Sequence, residues 1–361
     1  MNSLMALRDV VRFLHGELPA EGGCFISDIL PYPVLQVGLI GSSNGGNTAM
    51  GALGLFGAEM GVDWYVGWEN PAGVQFTTVD IGSRGKSLPG YVPCSCELTP
   101  AGTECNVDYT HLRWDGEAVS RGWGPQGRGT CGVLYHDLNG NGSYEEGDYV
   151  LGASPGTFNG VEKRVYSTAA LEAAAERGLI DPWPLEVATL EEAQAYWAIR
   201  DMSRYYDEVL QALPDLTAIV IGSQVDHVQV APDHPHILLQ YRGWQEAGTY
   251  WVRLNPDSAY VELLFGRPGA VDNPAGTPVD CRNIAGMLEP EAIPDRITRA
   301  AAALELSDRT QYGSWAPDLS TVLTGDREAQ APPGPGGQGG TVPANTLYLP
   351  HGVARLPEGA H

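Results

Sequence analysis

The stretch Val34-Leu35-Gln36-Val37-Gly38-Leu39-Ile40, running into Gly41-Ser42-Ser43-Asn44-Gly45, decides the fold. A short apolar run that ends in glycines reads as a buried parallel strand entering a tight turn. Thr48 to Met60 follows, and its Ala, Gly and Leu side chains suit a helix packed close to a sheet. Val62 to Trp68 then reads as the next strand. Strand, Gly-rich turn, helix and strand in succession predict an α/β fold with a mostly parallel sheet flanked by helices.

Working outward, Leu4, Leu7, Val10, Val11 and Leu14 recur at helical spacing before the first strand. Arg8, Asp9 and Arg12 interrupt that segment, so it has no apolar signal-peptide region. Regular α/β patterning returns at Thr189, which has capping-box spacing to Glu192. Met202, Tyr206, Val209 and Leu213 mark a helix face, Leu216 to Ile221 a strand, His236 to Glu246 a helix and Tyr250 to Leu254 a further strand. A last helix is expected over 292–306. Between these parts, 77–188 is rich in Gly and Cys with little helical period. The expected organisation is a core of 1–76 and 189–306, an inserted loop- and β-rich lid at 77–188, and an extended segment 307–361. That segment contains the Pro/Gly linker 331–340, which has no means of packing a core.

The chain has 361 residues, 43% hydrophobic and 18% charged, enough to bury a sizeable core. Its formal charge of −23 repels phosphate backbones and anionic headgroups, so no nucleic-acid partner is expected. No apolar run approaches the roughly 20 residues of a membrane span. The six cysteines are Cys24, Cys94, Cys96, Cys105, Cys131 and Cys281, four of them clustered in the lid. They suggest disulfides and an extracellular, periplasmic or cell-surface location. Two bridges within the lid cluster are preferred to a zinc site, because Cys94-x-Cys96 is not the usual zinc spacing. Cys24 and Cys281 are left to pair or to stay free.

Gly41-Ser42-Ser43-Asn44-Gly45 fits G-x-S-x-G centred on Ser43, in a strand–turn–helix context. The turn presents the serine hydroxyl and aims backbone N–H groups, including that of Asn44, at a developing oxyanion. At these residues the chain resembles the α/β-hydrolase superfamily, over roughly 1–76 and 189–265. The resemblance implies a serine nucleophile at Ser43 and an acid after a later strand. Ile221-Gly222-Ser223-Gln224-Val225-Asp226 matches that acid loop and makes Asp226 the expected acid, with Glu69 the runner-up. The family places its base after the last strand, where this chain reads Asn255-Pro256-Asp257-Ser258 without a histidine. His351 is the candidate base, while His227, His234 and His236 read as polar loop residues. The family also has strands before the nucleophile strand, so an upstream segment or a partner chain is expected to complete the sheet.

Asp137-Leu138-Asn139-Gly140-Asn141-Gly142-Ser143-Tyr144-Glu145-Glu146-Gly147-Asp148 resembles the twelve-residue EF-hand or dockerin-type loop. Asp137, Asn139, Asn141, Ser143 (through its carbonyl), Glu145 and Asp148 are the expected ligands of a structural Ca²⁺. Strand-like flanks and Asp in place of the closing Glu argue for a brace, not a switch. Among aromatic residues, Trp64, Tyr65 and Trp68 read as core or pocket wall, and Tyr91, Trp114 and Trp123 as candidate cleft residues. The leading expectation is an exported serine hydrolase acting on a small-molecule ester or a peptide. The alternative is a catalytically inactive, calcium-stabilised binding or assembly protein on the same scaffold.

Overall fold

The computed structural model describes residues 2–83, 86–100, 102–120, 130–226, 228–266, 268–269, 271–291, 296–312, 346–349 and 352–355. At its centre, four parallel strands lie side by side in chain order: β1 (Gly38–Ser42), β2 (Trp64–Trp68), β3 (Thr217–Ile221) and β4 (Val252–Leu254). Ser42 pairs with Trp68, and Trp68 with Ile221, so the carboxyl ends of three strands are level. The long helices around this sheet are α1 (Asn2–Leu14), α2 (Asn44–Met60), α3 (Leu190–Arg200), α4 (Tyr206–Ala212), α5 (Pro235–Glu246), α6 (Ser258–Phe265) and α7 (Arg296–Tyr312).

The inner strands are buried on both faces, as parallel strands require, whereas β1, expected to be buried, is an edge strand that leaves Ile40 exposed. Ala218 and Val220 of β3 join Met50, Leu53, Tyr65 and Trp244 in one apolar cluster. Ile219 and Ile221 point the other way, toward Ala302 and Leu306 of α7. Helix α2 packs tightly because it carries glycine at contact positions. A Cβ on Gly54 would lie 2.5 Å from the Tyr205 ring.

Several element boundaries differ from expectation, and two of the differences have a clear cause. The first strand starts at Gly38, because the Val37 amide is taken by the Asp63 carboxylate (2.8 Å) and the half-buried Trp64 ring covers Gly38. The last long helix runs on to Tyr312, because Arg309 is fully buried in an ion network with Glu305 and Asp257. Arg253 of β4 joins the same network and ties the end of that strand to α6 and α7.

The inserted region forms short antiparallel elements, the largest a three-stranded sheet of Leu112–Ser120, Thr130–His136 and Tyr149–Val150, and, beyond the loop- and β-rich expectation, a helix over Thr168–Glu176 capped by Ser167. Its core gathers Phe76, Ile81, Leu112, Leu134, Val165, Tyr166 and Leu171, and Ala193 and Trp197 of α3 pack into it. Disulfides join Cys96 to Cys105 and Cys94 to Cys281. The second bridge departs from the expected pairing within the insertion. The Cys94 amide and the Tyr91 hydroxyl both donate to Asp233, which holds this segment against the loop before α5 and beside Cys281. Cys24 is exposed and free. Thr346–Leu349 and Gly352–Arg355 pair as antiparallel strands, while the linker 331–340, Trp123 and the Cys131 side chain lie outside the described residues. Among the described residues, no helix is long and apolar enough to cross a membrane.

Candidate functional site at the carboxyl edge of the sheet

Three of the four strands end in the same way. The residues after β1, β2 and β4 are Ser43, Glu69 and Asn255, with φ of 49°, 48° and 62°. Each is a side-chain-bearing residue in left-handed backbone, a conformation that costs on the order of 1–3 kcal/mol and clusters at binding and catalytic edges. Each amide still completes the ladder: Ser43 to the Trp68 carbonyl, Glu69 to Ile221 and Asn255 to Val220. The chain therefore turns abruptly straight after the last sheet bond. In open parallel sheets this edge is where ligands bind.

At Ser43, φ 49° is joined to ψ −130°, and α2 begins at the next residue. The tightness of the turn explains two glycines. A Cβ on Gly41 would lie 2.5 Å from the Gly46 Cα, and one on Gly46 would lie 1.9 Å from the Asn70 amide nitrogen. Gly45, the second glycine of the motif, has open space around it, so the steric demand falls on Gly46 instead. Ser43 and Asn44 are exposed at the positive end of the α2 dipole, and the Gly46 amide is taken by the Ser43 carbonyl. Arg200 of α3 reaches the Asn44 side chain (3.4 Å). Among the described residues, the Ser43 hydroxyl makes no hydrogen bond.

Both expected acids face one imidazole. His236, in the first turn of α5, places Nε2 3.2 Å from Asp226 Oδ2 and 3.6 Å from Glu69 Oε2. His236 is fully buried. Burial works against its protonated form, but Asp226 and Glu69 outweigh it and raise the imidazole to about 9. Burial, partly offset by His236, pushes Glu69 up to about 8. Burial would also raise Asp226, yet His236 overrides it and holds that carboxyl well below the ordinary range. Asp226 Oδ1 accepts the Val228 amide at 2.7 Å. Gln240, one turn after His236, donates to the Asn70 carbonyl, and Asn70 donates to the Tyr65 hydroxyl.

Sequence reasoning placed Ser43, Asp226 and Glu69 on this edge and expected a helix from His236, but it gave His236 no part in the site. Pro235 suits the first helical position, so His236 and Gln240 share one helix face. His227 and the expected base His351 lie outside the described residues. His234 is buried at the N-cap of α5, and burial lowers it to about 4. After β4, where the resemblance would put the base, the Asn255 side-chain amide donates to the Met287 carbonyl and Asp257 enters the buried ion network.

The loop 137–148 lies elsewhere, between two paired strands of the insertion. The Asp137 carboxylate accepts the Gly140 and Gly142 amides, and Asp148 accepts Leu138 and Glu145 across the ends of the loop. Asn139 and Asn141 each accept the amide two residues on, and Asn139 also donates to Glu145. The donor set is all hard oxygen, which fits calcium.

No protein-family model, curated protein or solved structure matches this chain.

Proposed function

We propose that this chain is a serine hydrolase of the α/β-hydrolase kind, acting on a small-molecule ester or a peptide. The observation that carries the reading is the backbone of Ser43. It is a strained, exposed serine held between a parallel strand and a helix N-terminus, with Gly41 and Gly46 packed beneath it. In the reaction, Ser43 Oγ would attack the carbonyl carbon and its proton would pass to an imidazole. The bond to the leaving group would then break, with that proton delivered to the leaving group, and water would release the acyl group. Asn44 N–H and the dipole of α2 would hold the oxyanion. Asp226 is the acid and His351 the candidate base. Calcium in the loop of Asp137, Asn139, Asn141, Ser143, Glu145 and Asp148 would brace the insertion, and the disulfides suit an exported protein.

A second reading has its own support. His236 is engaged by two carboxylates, and Asn255 stands where the base is expected. On that reading the scaffold binds without catalysis. A fluorophosphonate probe separates the two. With calcium present, the hydrolase reading expects stoichiometric labelling of Ser43, located by mass spectrometry and abolished in Ser43→Ala. Folded, unlabelled wild-type protein would support the binding reading.

A further inference from the structure

We propose that Glu69, Asp226 and His236 form a zinc site. The three ligating atoms come from fixed places: the turn after β2, the loop after β3 and the first turn of α5. They all lie within 4.8 Å of one another. Zinc bonds of about 2.0–2.2 Å in tetrahedral geometry set neighbouring ligands about 3.4 Å apart. The two measured separations from Nε2, 3.2 and 3.6 Å, straddle that spacing.

Hydrogen bonding gives a second, independent observation. A buried imidazolium between two carboxylates would normally donate a well-aligned hydrogen bond to at least one of them. Here neither ring nitrogen of His236 makes one, although no part of the ring meets solvent. Both carboxylate oxygens of Glu69 are likewise buried without a hydrogen-bond donor. An ion that accepts one lone pair from each residue at once accounts for the two atoms that face each other, His236 Nε2 and Glu69 Oε2.

The donor set selects the metal. One imidazole nitrogen with two carboxylates suits zinc and its neighbours in the transition series. Calcium wants six to eight oxygens and magnesium keeps several waters, so neither fits. Three protein ligands leave a fourth position for water or a bound molecule, the pattern of a zinc site that is open to chemistry. The inference does not rest on the hydrolase reading, and with zinc bound Asp226 serves as a metal ligand and not as the acid of a serine triad.

The test is titration of the full chain with zinc alone, after chelator treatment. It is done with calcium saturating, to occupy the 137–148 loop, and on a Cys24→Ser background, to remove the free thiol. One zinc per chain is expected by calorimetry. Glu69→Gln, Asp226→Asn and His236→Gln should each weaken it at least a hundredfold, while Asp137→Asn leaves it unchanged. Cobalt replacing zinc should give the intense visible absorption of a tetrahedral site, a readout on wild-type protein that survives even if a variant fails to fold. No stoichiometric zinc in wild type, or binding that Glu69→Gln leaves intact, overturns the proposal.

Discussion

Glu69 and Asp80 are both buried carboxylates, and the chain treats them in opposite ways. Asp80, in the inserted region, accepts hydrogen bonds from the Thr78, Tyr109 and Ser167 hydroxyls. Burial raises it to about 6 against the pull of those three donors. Glu69, on the edge of the parallel sheet, sits in strained backbone and has no hydrogen-bond donor on either oxygen. A buried polar group with its partners in place contributes to stability, whereas one left without them costs about 1–3 kcal/mol. Such a cost persists where the group serves something other than folding. The contrast separates a region whose buried carboxylate has its hydrogen-bond partners from a sheet edge whose buried carboxylate does not.

The Cys94–Cys281 bridge is the sharpest way to probe the link between the two regions. It closes a span of 187 residues, and in the chain-entropy account a loop that long is stabilised by about 5 kcal/mol. The double substitution Cys94→Ser with Cys281→Ser should lower unfolding stability by nearly that amount in urea titrations. A loss below about 1 kcal/mol would mean that the insertion is held by its apolar core alone.

The next effect is smaller and depends on pH. His136 in the insertion is pushed down to about 4, chiefly by burial. The unfolded chain takes up that proton first, near the ordinary value of about 6.5. Stability from the neutral ring is therefore complete above about 6.5 and is lost as pH falls toward 4. Asp80 has the opposite sign, because its raised carboxyl stabilises the fold below its ordinary value and that contribution fades as pH climbs to about 6. Each amounts to about 3 kcal/mol at most. Relative to wild type, His136→Gln should gain about 3 kcal/mol between pH 7 and pH 4. A constant difference across that range would show that the His136 ring is not the titrating group.

Much of the sheet was legible because burial on both faces forces runs such as Leu216 to Ile221, and because glycine and small residues marked the turn and helix around Ser43. Asp226 was legible from its place after a strand. His236 was not, since nothing in the spacing of residues 226–236 shows that α5 folds its first turn back over the strand ends. The Cys94–Cys281 pair is equally tertiary, set by Asp233 drawing in the 91–94 segment. The packing of α3 on the insertion depends on Ala193 and Trp197 meeting side chains far away in the chain. The G-x-S-x-G match ends at Gly45, but the backbone has its second steric demand at Gly46, where Asn70 leaves no room for a side chain.

The most direct measurement is the unfolding stability of Glu69→Gln beside that of Asp80→Asn, in metal-free buffer at pH 7. Asparagine at position 80 sets an amide against hydroxyl donors and should cost about 2 kcal/mol. Glutamine at position 69 keeps the shape of a side chain that has no donors and that burial already holds largely neutral at pH 7, so its stability should match wild type within about 0.5 kcal/mol or exceed it. If Glu69→Gln loses as much as Asp80→Asn, the carboxylate at the sheet edge is structural, and the division drawn between the two regions fails.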